Sequence, residues 1–182
     1  MRAVILLLAA ALSLAAAPSH AQLKNENLLV TMPDGFKVGH SASRNGMDMQ
    51  EWVPSAETVQ DWTEMVTAQV FRNRPDIDPG RYQSEMSKLW AKACPGAVVG
   101  EVATGTTNGY PSASLSLRCP LLASTGKPEV AVIKAIKGRD SFYVVQRAVR
   151  SEPTAAKLDQ MKQYLDKVSV CDTRLADRSC KL

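Results

Sequence analysis

The sequence predicts an α+β fold, with an antiparallel sheet of about six strands flanked by helices in an α/β/α sandwich. Three observations predict it. Two Asn-Gly pairs, Asn45-Gly46 and Asn108-Gly109, each sit between runs that alternate apolar and polar residues, the pattern of a β-hairpin closed by a two-residue turn. Strands come in groups separated by stretches of helical period, which indicates α+β rather than alternating α/β. The last two strand-like runs carry apolar residues on both faces, as in a sheet covered from both sides.

In order along the chain, residues 36–53 read as the first hairpin. Phe36, Val38, His40 and Ala42 alternate with Lys37, Gly39, Ser41 and Ser43; after the turn Met47, Met49, Glu51 and Val53 alternate with Asp48, Gln50 and Trp52. Pro54-Ser55 ends the strand, and Ser55 is placed to cap a helix in which Val59, Trp62, Met65, Val66, Gln69 and Val70 share one face. Asp78-Pro79 is a cap followed by proline at the first helical position; Tyr82, Met86, Leu89 and Ala93 form that second helix's stripe, and Pro95-Gly96 stops it. A second hairpin spans 97–119. Two further strands, about 129–137 and 141–150, flank Gly138-Arg139-Asp140, and a last helix, about 154–168, has Leu158, Met161, Leu165 and Val168 as its stripe.

The first 21 residues read as a secretory signal peptide. Met1-Arg2 give a positive start, Ala3 to Ala17 an apolar core, and Ser19-His20-Ala21 a cleavage site ending in a small residue. The apolar run is too short for a membrane span, and no later stretch reaches that length. The domain layout is therefore a cleaved segment 1–21, a single α+β domain 22–170 and a disulfide-closed tail 171–182. The expected product is periplasmic or secreted and soluble. With 45% hydrophobic and 22% charged residues the chain is globular rather than disordered. Loss of Arg2 lowers the formal charge from +4 to +3, too little to predict nucleic-acid binding.

The succession of hairpin, two helices, four-stranded meander and closing helix, entered through Pro33-Asp34-Gly35-Phe36, resembles the PsbP-like family. Members of that family have an antiparallel sheet sandwiched by helices. They include photosystem accessory proteins, a Ran-binding protein and exported bacterial lipoproteins, so the resemblance implies a non-enzymatic binding or accessory role. It transfers no functional residue, and the chain departs from the lipoprotein members in lacking a cysteine at the cleavage junction.

Four cysteines in an exported chain favour disulfides over redox or zinc motifs, whose close spacings are missing. Hairpin arithmetic about Asn108-Gly109 sets Cys119 opposite Val98, and Cys94 ends the preceding helix only four residues earlier. The pairs are thus Cys94–Cys119 and, by remainder, Cys171–Cys180. On the chain-entropy model their loops stabilise by roughly 3.5 and 2.7 kcal/mol.

The same arithmetic about Asn45-Gly46 puts His40 opposite Glu51 on a face shared with Val38, Ala42, Met49 and Val53. As a dyad, the carboxylate would orient the imidazole as a general base; without a nucleophile, the two form a cross-strand polar pair. Once His20 leaves with the signal, His40 is the remaining histidine. Trp52, on the other face between polar neighbours, is a candidate partner contact or, under a helix, ordinary core. Asp76-Ile77-Asp78 lacks the glycine and distant glutamate of a calcium loop. Ser112, Ser114 and Ser116 read as a solvent face. Gly100, Gly105 and Gly109 fall in a hairpin and make no dinucleotide fingerprint, and Arg139, Arg147 and Arg150 read as a solvated sheet edge.

No cofactor and no metal is expected. The leading functional expectation is a soluble exported binding or accessory protein acting on an envelope protein partner. The alternatives are an envelope hydrolase or transferase using His40 and Glu51, and a small-molecule or lipid binder with its cavity between helices and sheet. The oligomeric state stays open.

Overall fold

The structure is a computed structural model that describes residues 23–180; the expected signal peptide and its cleavage site lie outside the described residues. Ten strands and two α-helices follow in the order β1 (Glu26–Leu29), β2 (Phe36–Arg44), β3 (Met47–Pro54), β4 (Glu64–Arg72), α1 (Pro79–Ala93), β5 (Val98–Val99), β6 (Ala103–Thr107), β7 (Tyr110–Leu122), β8 (Lys127–Lys137), β9 (Ser141–Val149), α2 (Ala155–Lys167) and β10 (Ser169–Asp172). Eight strands form one antiparallel sheet in the order β2-β3-β4-β9-β8-β7-β5, with β6 also on β7. β1 and β10 pair with each other as a separate ribbon.

The Asn-Gly turns work as their residue types dictate. Asn45 and Gly46 have φ of 52° and 75°, Asn108 and Gly109 of 48° and 76°, the left-handed values a type I′ turn requires. On one side of the sheet α1 lays Tyr82, Met86 and Trp90 over Leu115, Leu117, Ile133 and Phe142. On the other, α2 inserts Met161 and Leu165 among Val130, Val132, Ile136 and Val145. Polar groups lock both helices down. Asp78 caps α1 by accepting from the Arg81 amide at 2.8 Å. The Lys134 ammonium donates to the carbonyls of Leu165 and Val168 at 3.0 and 2.9 Å, closing the C-terminus of α2 where a cation is favoured. Burial holds its pKa below the usual lysine range. Glu64 joins Arg147 and Lys157, both at 2.5 Å, so β4, β9 and α2 share one buried ion cluster.

Several expectations are corrected. Residues 64–72 are a strand, not the end of a helix. β4 lies between β3 and β9 and is buried on both faces at its inner end, so apolar residues fall on both sides (Met65 and Phe71, Val66 and Val70) and imitate a helical spacing. Ser55 caps no helix; its amide and hydroxyl both donate to the Gly35 carbonyl at 2.8 Å. The main sheet has eight strands rather than about six, since 97–102 yields only the short β5 and β4 joins the sheet. In α1 the buried face runs through Gln83, while Leu89 is 60% exposed. Arg147 and Arg150 are not a solvated edge: β9 is central, Arg147 is buried on Glu64, and Arg150 lies over the Trp62 ring at 4.0 Å. Arg139 is exposed.

Both expected cysteine pairs are at disulfide distance, with Cα separations of 5.8 Å for Cys94–Cys119 and 4.9 Å for Cys171–Cys180. The register behind the first pair slips by one residue: Val98 faces Arg118 rather than Cys119, because the chain loosens between β5 and β6. Cys171 is itself in β10 and buried, so the expected tail boundary falls inside the ribbon.

Candidate functional site

The sheet is longer than its helical cover. β9 and β8 are enclosed on both sides and β7 along one face, whereas β2, β3 and the outer end of β4 project beyond α2. The β1–β10 ribbon stands beside this projection and turns the exposed sheet face into a groove of about 610 Å³. Its floor is apolar, made of Trp52, Ala68, Val70 and Tyr143; its ribbon wall is Leu28 and Val30, and Ser41, Ser43 and Gln50 form the open rim.

One carboxylate joins the ribbon to the β8–β9 turn. Glu26 accepts hydrogen bonds from the backbone amides of Arg139 at 2.5 Å, Asp140 at 3.2 Å and Ser141 at 3.2 Å, and from the Tyr143 hydroxyl at 2.9 Å. Three amides and a phenol thus converge on one half-buried carboxylate in charge-assisted hydrogen bonds. A Cβ at position 138 would overlap the Glu26 carboxylate, so the β8–β9 turn needs glycine there. Burial, reinforced by the Glu26 carboxylate, holds the Tyr143 hydroxyl far above the ordinary tyrosine range and keeps it a donor. Arg174, just after β10, bridges Asp172 and Asp140 at 2.6 Å each and fastens the β10 side of the same ribbon end, where Asp172 faces Glu26, to the same turn. At the rim, Ser43 donates to Asp48 at 2.6 Å and Arg72 pairs with the same carboxylate. The serine bond first, and the guanidinium after burial's opposing effect, hold Asp48 below the usual carboxylate range.

The charged groups of the groove, Glu26, Asp48 and Arg72, are therefore engaged in holding its walls. What it offers a ligand is an apolar floor, a neutral rim and, along its open side, a sheet edge: β2 ends the strand order.

His40 does stand opposite Glu51 in the β2–β3 register. A bulge at Gly39 then shifts the pairing, so Val38 faces Trp52 and Lys37 faces Val53. A Cβ on Gly39 would lie 2.8 Å from the Val59 side chain, so the approach of the 55–63 loop calls for glycine. His40 is exposed rather than partly buried, and among the described residues no hydrogen bond joins it to Glu51. The two lie on the face away from the groove. Of the two readings of Trp52, core or contact, its burial fits core: at 6% exposure it belongs to the cluster with its β4 neighbour Val66, and it also lines the groove floor. Asp76 pairs with Arg74 at 3.0 Å, and Ser112 is buried, accepting from Thr107 at 3.1 Å. Gly100, Gly105 and Gly109 stay in the β5–β7 region, where no helix begins. Glu26, Tyr143 and Arg72 carry no local signal of their joint role; the residues that meet Glu26 lie more than a hundred positions away.

In sequence, no family model matches this chain and no curated protein does. In structure it is similar to the Ran-binding protein Mog1p of Saccharomyces cerevisiae, at 11% identity and a TM-score of 0.44, covering 78% of this chain and 85% of that one. It is similar to LpqN of Mycobacterium tuberculosis, described as involved in cell envelope biogenesis, at 13% identity and 0.43, covering 83% and 87%. It is also similar to the PsbP of the cyanobacterium Synechocystis, at 13% identity and 0.47, covering 86% and 98%. A PsbP is thus among the structural neighbours, the family that the element order resembles.

Proposed function

We propose that this chain is a soluble exported protein, periplasmic after loss of residues 1–21, that binds an envelope protein partner and acts without catalysis. The observation that carries the reading is the groove between the β1–β10 ribbon and β2–β4. Its aromatic and aliphatic floor suits burial of apolar side chains, and the open edge of β2 beside it offers backbone donors and acceptors to an extended segment. Its acids and bases are occupied as struts, which favours binding over proton transfer. Two disulfides that use all four cysteines support an oxidising compartment.

The test is photo-crosslinking in intact cells from single positions. A photoreactive residue at Gln50, on the groove rim, is expected to capture one envelope protein; the same residue at Leu89, exposed on α1, is expected not to capture it. Equal capture from both positions, or none from Gln50, overturns the reading. The groove volume also lies in the small-molecule range of about 300–1,000 Å³. A co-purified small molecule seen by native mass spectrometry, displaced by Ala68→Phe, would replace the protein partner with a ligand.

A further inference from the structure

We propose that the face of β2–β4 turned away from the groove binds a soft monovalent metal ion, Cu(I), on the thioethers of Met47 and Met49, with the His40 imidazole on the Met49 side. The inference does not rest on the proposed partner binding, although Met49 and Ala42 also touch the groove. Met47 and Met49 are two positions apart on β3 and so project from the same face. Gln69 stands directly opposite Met49 on β4 and Phe71 opposite Met47. The Gln69 Nε2 lies 3.8 Å from Met47 Sδ and 3.7 Å from Met49 Sδ. Two sulfurs therefore converge on one point at the protein surface, each side chain half-buried rather than sealed.

A thioether is a weak acceptor, so the amide that now fills this point is held by two poor hydrogen bonds and is readily displaced. Met side chains have three rotatable bonds and adjust to an irregular site at small cost. His40 is the diagonal neighbour of Met49 across the β2–β3 pair, and between them on β2 stands only Ala42, too small to obstruct an imidazole.

The donor set selects the ion. Neutral thioethers and an imidazole favour a soft metal, and Cu(I) above the hard divalent cations. On this face of β2–β4 Glu51 is the one carboxylate, beside His40, while Arg44 stands opposite Met47. One negative and one positive neighbour tolerate a single added charge better than two. The thiols that would outcompete a thioether are tied up in Cys94–Cys119 and Cys171–Cys180. Met65 and Met161 are buried in the core and do not compete.

Ag(I) is the probe, because it has the same ligand preference and needs no reductant that would open the disulfides. Titration of the oxidised, full mature protein with silver nitrate in chloride-free buffer, followed by calorimetry and native mass spectrometry, is expected to show one tightly held ion. Met47→Leu/Met49→Leu, a volume-conserving change, is expected to abolish saturable binding with an unchanged circular dichroism spectrum. His40→Ala is expected to weaken binding by about tenfold or more, the scale seen when a group supporting a metal site is removed. Met32→Leu is expected to change nothing. Silver binding that persists in the double variant, or wild-type binding no tighter than that variant's, overturns the proposal; a Zn(II) affinity equal to that for Ag(I) overturns the ion selectivity.

Discussion

The sheet has two unequal halves. In β9 and β8 nearly every side chain is enclosed and β7 is enclosed along one face; the polar exceptions have partners, Lys134 on the carbonyls closing α2, Arg147 on Glu64 and Glu129 beside Arg150. In β2, β3 and the outer part of β4 the same antiparallel pairing continues, but helices cover neither face. One face becomes the groove, the other carries the methionine pair and His40. The difference follows from helix placement: α1 and α2 sit over the later strands, so the earlier hairpin is free to meet other molecules. The enclosed half carries the stability, and the proposed recognition falls to the other.

This division is broken most readily where the enclosed half is densest. Phe142 is fully buried and packs its ring 5.2 Å from Tyr82 and 6.1 Å from Phe71. Phe142→Ala is expected to lower the unfolding free energy by about 3–5 kcal/mol in a denaturant titration, and a loss well under that would deny the half its role as scaffold. Replacing Cys94 and Cys119 by serine is expected to cost about 3.5 kcal/mol, and replacing Cys171 and Cys180 about 2.7 kcal/mol. The second replacement should also loosen the ribbon and so weaken capture from Gln50.

A smaller effect is titratable. Burial raises the Glu129 pKa, only partly offset by Arg150. A folded-state pKa above the unfolded one means that folding binds the proton, so its stabilising contribution is full below about pH 4.3, the unfolded value, and is lost as pH rises through the folded value. Glu129→Gln is therefore expected to raise Tm at neutral pH, with the gain shrinking as the pH falls toward 4.3; a gain that grows on acidification would contradict this. Smallest of all, Gln50→Ala and Ser41→Ala in the projecting half are expected to shift stability by no more than about 0.5 kcal/mol while reducing partner capture. A large stability loss there would blur the two halves.

Much of this was legible in the sequence wherever the determinant was local. Both Asn-Gly turns, the Asp78-Pro79 helix start, the Met161–Leu165 stripe and the two-faced strands β8 and β9 follow from residue types and spacing. β4 imitates a helix because apolar residues on both of its faces erase the alternation, leaving Met65, Val66, Gln69 and Val70 at helix-like intervals. The site was less legible than the fold. His40 and Glu51 meet because a two-residue turn fixes their register, yet neither burial nor the bulge at Gly39 could be read from that register. The groove depends on β1 meeting β10 and on Glu26 meeting the amides of residues 139–141. No local pattern announces contacts of that range.

Hydrogen exchange, compared between the free protein and the protein with its captured partner, tests the division most directly. The account predicts added protection in β2, the rim of β3 and the outer end of β4, with the amides of α1 and β7 unchanged. Protection gained over α1 with none at β2–β4 would contradict it.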